Sequence, residues 1–195
     1  MRVVVVLAHP NPDSYTHAVA STATDALQSG GHQVTMLDLC SLGFRAAMSA
    51  DERRAYHSDQ PVLDPMVHEH IELIRHADAL VFIYPTWWSS MPAVLKGWLE
   101  RVMVPGVGFA FNDRHRVRPA LTNVRQIIGI STYGSPRLVV KAVNDNGRRT
   151  IKRALRLSTG LRTRASWLAL YSIDACSPEQ RAGFLAKVDT RMRSL

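Results

Sequence analysis

The stretch Arg2-Val3-Val4-Val5-Val6-Leu7-Ala8-His9-Pro10-Asn11-Pro12-Asp13-Ser14 decides the fold. Val3 to Leu7 is an unbroken apolar run, mostly β-branched. A strand with one wet face alternates apolar and polar residues. A strand covered on both faces does not, and such strands belong to parallel sheets sandwiched by helices. The two prolines close the strand. Ser14 can then cap a helix running to about Gln28, with Ala18, Val19, Thr22, Ala23, Ala26 and Leu27 at helical spacing. Gly30-Gly31 ends that helix, and residues 33 to 39 read as a second strand. The chain therefore opens with a β-α-β unit.

The same alternation continues outward from this unit. Ser49-Ala50-Asp51-Glu52 begins a short helix, and Pro65 suits the first turn of a helix through about His76. Residues 79 to 84 are an apolar strand ended by Pro85. The loop Thr86-Trp87-Trp88-Ser89-Ser90 leads into a helix opened by Pro92 and running to about Met103. A fourth strand begins at Asn123 or Val124 and ends at Ser131. Residues 146 to 158 form a basic helical segment, residues 166 to 173 a fifth strand, and residues 178 to 192 a final helix. Five strands alternating with helices specify one α/β domain over residues 1–195, a doubly wound parallel sheet. Residues 104 to 122, with Pro105, Gly106, Gly108 and Pro119, read as a long functional loop. Ligands of such sheets bind beyond the carboxyl ends of the strands, so the loops after strands one, three and four carry the candidate site.

Composition narrows the class. The 195 residues are 46% hydrophobic and 21% charged, ordinary for a globular protein and unlike a disordered or collagen-like chain. No apolar run approaches the roughly 20 residues of a membrane span. The apolar start resembles a secretory signal, but residues 9 to 13 cut it short and no small-residue cleavage site follows. Cys40 and Cys176 form no metal-like pair and suit a reduced, cytoplasmic compartment. The net charge of +8 is uneven. Residues 1–113 hold 7 Lys/Arg against 12 Asp/Glu, and residues 114–195 hold 17 against 4. Such a basic half attracts an anionic partner, or is simply an Arg-rich solvated face.

Three loops offer chemistry. In the first, Ser14, Tyr15 and Thr16 open a helix whose free N–H groups and dipole suit a phosphate, and His9 can donate to an anion. The alternative is that Ser14 only caps and His9 is a loop histidine. Neither G-x-G-x-x-G nor a Walker loop is present, which disfavours a dinucleotide-binding Rossmann domain and a P-loop kinase. In the second, Trp87 and Trp88 are adjacent and cannot both point inward, so one edges a pocket for a flat aromatic ligand. In the third, Ser131-Thr132-Tyr133-Gly134-Ser135, Gly134 permits close backbone approach or a positive φ. His68, His70 and His76 fall on different helix faces and read as a solvated polar face rather than a metal site. Arg148, Arg149, Lys152, Arg153 and Arg156 could attract an NADPH phosphate, a protein or nucleic acid; without a stacking platform, nucleic acid is disfavoured.

Three stretches carry a family resemblance: Val5-Val6-Leu7-Ala8-His9-Pro10 with Ser14-Tyr15, then Ala77-Asp78-Ala79-Leu80-Val81-Phe82, and above all Tyr84-Pro85-Thr86-Trp87-Trp88-Ser89-Ser90-Met91-Pro92-Ala93-Val94-Leu95-Lys96-Gly97-Trp98-Leu99-Glu100-Arg101-Val102. The chain resembles the flavodoxin-like NAD(P)H:quinone oxidoreductases, the DT-diaphorase-like flavoproteins, over roughly residues 2–135. The resemblance implies a flavodoxin-like sheet in the order 2-1-3-4-5 and a tightly bound flavin. It implies that His9, Ser14, Tyr15 and Thr16 hold the flavin phosphates. It also implies that Pro85, Thr86, Trp87, Trp88 and Ser89 line the ring largely through backbone contacts, and that Thr132, Tyr133 and Gly134 close its other edge. The implied reaction is hydride transfer from NAD(P)H through the flavin to a quinone or similar flat acceptor, with ping-pong kinetics. A homodimer is implied too, and Trp87, Trp88, Met91 and Trp98 supply apolar bulk near one face. The tyrosine and histidine of animal members beyond the third loop have no counterpart in residues 135 to 141, so no catalytic acid–base residue is assigned. FAD is favoured over FMN because residues 8–16 lack the glycine of the FMN loop of flavodoxins, with Arg181 a weak contact for the diphosphate. The competing class is a flavin-bearing regulatory or ancillary subunit of a partner protein, favoured by the basic half.

Overall fold

A computed structural model describes residues 1–160 and 162–195. The strand β1 (Arg2–Leu7) leads through loop 1 to α1 (Tyr15–Ser29) and β2 (Gln33–Asp38). The short α2 (Ala50–Ala55) and α3 (Pro65–Arg75) precede β3 (Ala79–Thr86) and α4 (Ala93–Val102). A two-stranded hairpin, β4 (Phe109–Phe111) and β5 (Val117–Pro119), comes before β6 (Gln126–Tyr133). Helix α5 (Arg137–Ala142) is followed by α6 (Asn146–Arg149), which continues through a π-helical turn into α7 (Leu155–Thr159). The strand β7 (Arg164–Leu170) and α8 (Pro178–Arg193) complete the described chain. The five-stranded parallel sheet has the order β2-β1-β3-β6-β7, the expected 2-1-3-4-5 topology.

The valine run behaves as a strand buried on both faces. Val3, Val5 and Leu7 pack with α1 and α8 through Val19, Ala23, Leu27, Phe184 and Val188. Val4 and Val6 belong to the opposite core with Ile71, Ile74, Phe82, Leu95 and Trp98. Successive strand side chains point to opposite faces, so one apolar run feeds two cores. Ser14 caps α1 by accepting from the His17 N–H. Ser49 and Glu52 form a reciprocal capping box on α2, and Pro65 stands in the first turn of α3 behind the Asp64 cap.

Four sequence expectations need correction. The strand β3 runs through Pro85 to Thr86 rather than stopping before the proline. The Ile83 carbonyl accepts from Ala8, so Ile83 faces β1. Pro85, two residues on, faces the same side after β1 has ended, where no N–H is required. The strand β6 begins at Gln126 and runs to Tyr133, so Thr132 and Tyr133 belong to its end rather than to a loop. The strand β7 begins at Arg164 and finishes at Leu170, three residues before the expected end. Residues 104 to 122 are not one irregular loop but contain the antiparallel β4–β5 pair.

Two expected surface features are core. Trp98 is fully buried, its Nε1 donating to His70 Nδ1 at 3.1 Å, and Met91 is buried as well. His70 is therefore not part of a solvated polar face; it stacks on Phe44 with ring centroids 5.7 Å apart. Burial lowers its pKa and keeps the imidazole neutral, as an acceptor for an indole N–H requires. Substituting Trp98 by Leu is expected to destabilise the fold by about 2–4 kcal/mol, through the cavity and the orphaned His70 acceptor. A urea midpoint unchanged from the parent would contradict that role.

Candidate functional site

The carboxyl ends of β1, β3 and β6 converge on one edge of the sheet. Loop 1 is shaped by its own polar groups. His9 Nδ1 lies 3.1 Å from both the N and O of Asn11, Asn11 Oδ1 accepts from the Asp13 N–H at 2.9 Å, and the Asn11 carbonyl accepts from Ser14. Ser14 Oγ is committed to His17, leaving the N–H groups of Tyr15 and Thr16 at the head of α1, ahead of any intrahelical acceptor. Thr16 has a buried side chain, so it offers its N–H and not its hydroxyl. The Tyr15 hydroxyl donates to the Arg181 carbonyl at 2.7 Å, tying the head of α1 to that of α8. Burial lowers the pKa of His9, with His17 adding to the effect, so the ring meets an anion as a hydrogen-bond donor rather than a cation. His17 Nε2 lies 3.1 Å from Asp38 Oδ2. Burial raises Asp38, but hydrogen bonds from Ser41 and His17 outweigh it and hold the carboxyl below the usual range.

Loop 2 is a tight turn. Trp87 and Ser90 exchange both backbone hydrogen bonds at 3.0 Å, and the two residues between them have positive φ, 48° for Trp88 and 57° for Ser89. A turn with two left-handed central residues ordinarily takes Gly or Asn. Holding Trp and Ser there costs on the order of 1–3 kcal/mol each. The strain projects Trp88 wholly into solvent, at 100% exposure, while Trp87 rests 5.8 Å from the His9 ring and joins loop 2 to loop 1. Thr86 Oγ1 lies 2.8 Å from Ser131 Oγ and locks the ends of β3 and β6 together.

Loop 3 completes the groove, but differently from expectation. The Tyr133 side chain turns inward: its hydroxyl donates to Asp145 Oδ2 at 2.7 Å and accepts from Trp167 Nε1 at 3.0 Å. Tyr133 and Thr132 are both buried. Burial and the Asp145 carboxylate push the Tyr133 phenol far up, so it stays protonated. Gly134 has no positive φ; it permits close approach instead, and a Cβ there would meet only Asp174 Oδ2 at 3.2 Å. Between loops 2 and 3 lies a cavity of about 300 Å³, lined by Thr86, Trp88, Ser89, Tyr133, Gly134 and Val140 among others. That is the size of a pocket for a flat ring system.

The sequence reading missed Asp145, Trp167 and Tyr171. Asp145 caps α6 by accepting from Arg148, and the Asn146 N–H donates to the Ser89 carbonyl, so α6 braces loop 2. The signal was present as an Asp ahead of a basic helix, but its partner, Tyr133, ends the strand β6, twelve positions earlier. Among the described residues no His, Cys, Asp or Glu group is arranged to hold a metal, and no helix is long and apolar enough to cross a membrane.

Residues 1–160 match a protein family described by its flavodoxin-like fold. The chain is 35% identical over 117 residues to an uncharacterized NAD(P)H oxidoreductase of Escherichia coli (strain K12), YcaK, covering 60% of this chain and 58% of that protein. It is 29% identical over 149 residues to the quinone NAD(P)H dehydrogenase 1 of Rattus norvegicus, covering 69% of this chain and 54% of that one. The chain thus spans little more than half the length of these relatives. A solved NAD(P)H:quinone oxidoreductase from Methanothermobacter marburgensis superposes with a TM-score of 0.82 at 26% identity, over 100% of this chain and 95% of that one. The sheet order, the helix-capped loop 1 and this family match lead to one assignment: the chain belongs to the flavodoxin-like fold family matched over residues 1–160.

Proposed function

We propose that this chain is a cytoplasmic, flavin-dependent NAD(P)H:quinone oxidoreductase acting as a homodimer, with one flavin site per 195-residue domain. The observation that carries the proposal is the strained Trp88-Ser89 turn, held beside the open head of α1 at the carboxyl edge of the sheet. The residues present fit a flavin. His9 and the N–H groups of Tyr15 and Thr16, presented by the Ser14 cap, would hold its phosphates. The backbone of Pro85, Thr86, Trp87, Trp88 and Ser89 would line the ring, and Thr132, Tyr133 and Gly134 would close its other edge through backbone groups, since both side chains of the strand end are buried. When bound, a flavin would accept hydride from NAD(P)H at N5 and pass it to a quinone that replaces the nicotinamide, in ping-pong order. The chain contributes position rather than acid–base chemistry. Tyr133 and Asp145 are committed to each other, and their bond fixes loop 3 against α6.

FAD is the proposed cofactor. The protein is expected to purify yellow, and acid extraction followed by chromatography to release FAD at one equivalent per chain. A colourless protein that quenches neither FAD nor FMN fluorescence would overturn the flavin assignment; an FMN peak would overturn only the choice of flavin. Steady-state oxidation of NADH or NADPH by a soluble quinone tests the activity.

Gly134→Val is expected to weaken flavin binding by at least tenfold while leaving the far-UV circular dichroism unchanged. The new side chain meets only the tip of Asp174 within the fold but fills the groove edge. Unchanged affinity would show that loop 3 does not approach the ring.

Of the four residues expected at a dimer face, Met91 and Trp98 are buried, while Trp87 and Trp88 are exposed. Trp88, Val139 and Val143 line the groove and are exposed, an apolar rim that a second copy would cover. A monomeric mass by light scattering in a preparation that turns over would count against it.

A further inference from the structure

A second cavity, of about 600 Å³, opens between α5 and the α6–α7 helix. Arg148, Lys152 and Arg156 recur along one helical row, with Arg149 and Arg153 beside them. Across the groove, α5 adds Arg137 and Lys141, four residues apart. The one carboxylate on the lining, Asp145, is already engaged by the Tyr133 hydroxyl and the Arg148 N–H. Among the described residues, none of Arg137, Lys141, Arg148, Arg149, Lys152 and Arg153 forms an ion pair. Arg148 leans instead on the Trp167 ring at 5.9 Å. Burial, Arg148 and Arg156 together lower the pKa of Lys152, the mark of cations held close together. Like charges at this density repel one another, and a polyanion removes that cost.

The basic groove adjoins the cavity beside loop 2. Val140 and Asp145 line both, and Tyr171 on the basic side stacks on Tyr133 with ring centroids 4.8 Å apart. We propose that the α5–α6–α7 groove binds the phosphates of a 2′-phosphorylated pyridine dinucleotide, so that NADPH rather than NADH is the preferred hydride donor. Guanidinium forks match phosphate oxygens in pairs, and a 2′-phosphate adds a dianionic group that NADH lacks. The nicotinamide end would extend toward Trp88, which rests on the flavin site proposed above. Nucleic acid fits less well: the groove lining holds a single aromatic residue, Tyr171, with one face already stacked on Tyr133, where successive bases need a series of platforms.

Adenosine 2′,5′-bisphosphate and 5′-AMP, titrated calorimetrically into the purified protein, test the groove without relying on turnover. The bisphosphate is expected to bind at least about tenfold more tightly than 5′-AMP at moderate salt, since one charge-assisted contact suffices for that ratio. The double variant R149S/R153S, changed on an exposed helix face, is expected to abolish the preference while retaining its flavin content. Equal binding of the two nucleotides, or a preference that survives the double variant, would overturn the proposal. So would a single-stranded oligonucleotide that displaces the bisphosphate and binds at least tenfold more tightly. A protein that shows the preference and loses it in the variant, yet takes up no flavin, would sustain the groove and defeat the flavin site. A yellow protein without the preference would do the reverse.

Discussion

Arg101→Met is expected to lower the free energy of unfolding at neutral pH by about 3–5 kcal/mol, the cost of breaking a buried ion cluster by removing one partner. The Arg101 guanidinium is nearly inaccessible. It donates to Glu52 Oε1 through Nε at 2.8 Å, to the Arg45 carbonyl at 2.7 Å and to Asp64 Oδ2 at 2.6 Å, and it lies over the Phe44 ring. One side chain on α4 therefore holds the caps of α2 and α3 and the segment before them. Methionine fills the volume but leaves two carboxylates facing an apolar wall. The effect is pH-dependent with a defined sign. The Arg101 hydrogen bond holds Asp64 below the ordinary carboxylate range. Burial raises Glu52, but its bonds from Ser49 and Arg101 prevail and lower it. Folded values below the unfolded ones contribute stability above roughly pH 4–5, and that stability is lost as pH falls through the folded values. The gap between parent and variant should therefore be full at pH 7 and narrow on acidification. Urea unfolding at several pH values measures it; a gap independent of pH would show that the cluster's charge contributes nothing.

Gly129→Val should be nearly as damaging, and its damage should reach the site. An ideal Cβ at Gly129 would stand 2.0 Å from Cζ3 of Trp167, the residue paired with it on β7. The indole can lie across β6 only because Gly129 has no side chain. Displacing it costs about 1–3 kcal/mol or more in overpacking. It also breaks the Trp167 Nε1 bond to the Tyr133 hydroxyl, which aligns Tyr133 with Asp145. Flavin affinity should fall together with the melting temperature. In Gly129→Val/Trp167→Leu the smaller partner makes room, so much of the lost stability should return while the Tyr133 contact stays lost. Strict additivity of the two substitutions would refute the contact as the cause, because neighbours that share a clash are coupled.

These two positions differ in what could be read from the chain. Gly129 lies in the middle of an apolar strand pattern, and nothing local marks it; its reason is an indole 38 positions later. Arg101 falls in the stretch with the strongest family resemblance, yet its partners Glu52 and Asp64 stand at the heads of two other helices, 49 and 37 positions earlier. Tyr133 shows the same limit inside the site. Its place at the third loop of the sheet edge was legible, but not that it ends β6 with its ring turned inward, because Asp145 and Trp167 reach it from other elements.

Sequence by itself determined the alternation of the five sheet strands with helices, the two-faced burial of the valine strand, the helix starts at Ser14, Ser49 and Pro65, and the sheet edge where the loops gather. These follow from periodicity and from capping chemistry within a few residues, which is where the physics is local. Tertiary structure alone decided which face each aromatic took. It sent Trp98 and Met91 into the core and Trp88 out on a strained turn. It carried β3 through Pro85, because β1 had ended and left no hydrogen bond for the missing N–H to break. It also gathered the basic residues of α5, α6 and α7 around one groove. The physical reason is common to all of them: burial, hydrogen-bond partners and the field of neighbouring charges are set by residues far apart in the chain, which meet only when the sheet assembles.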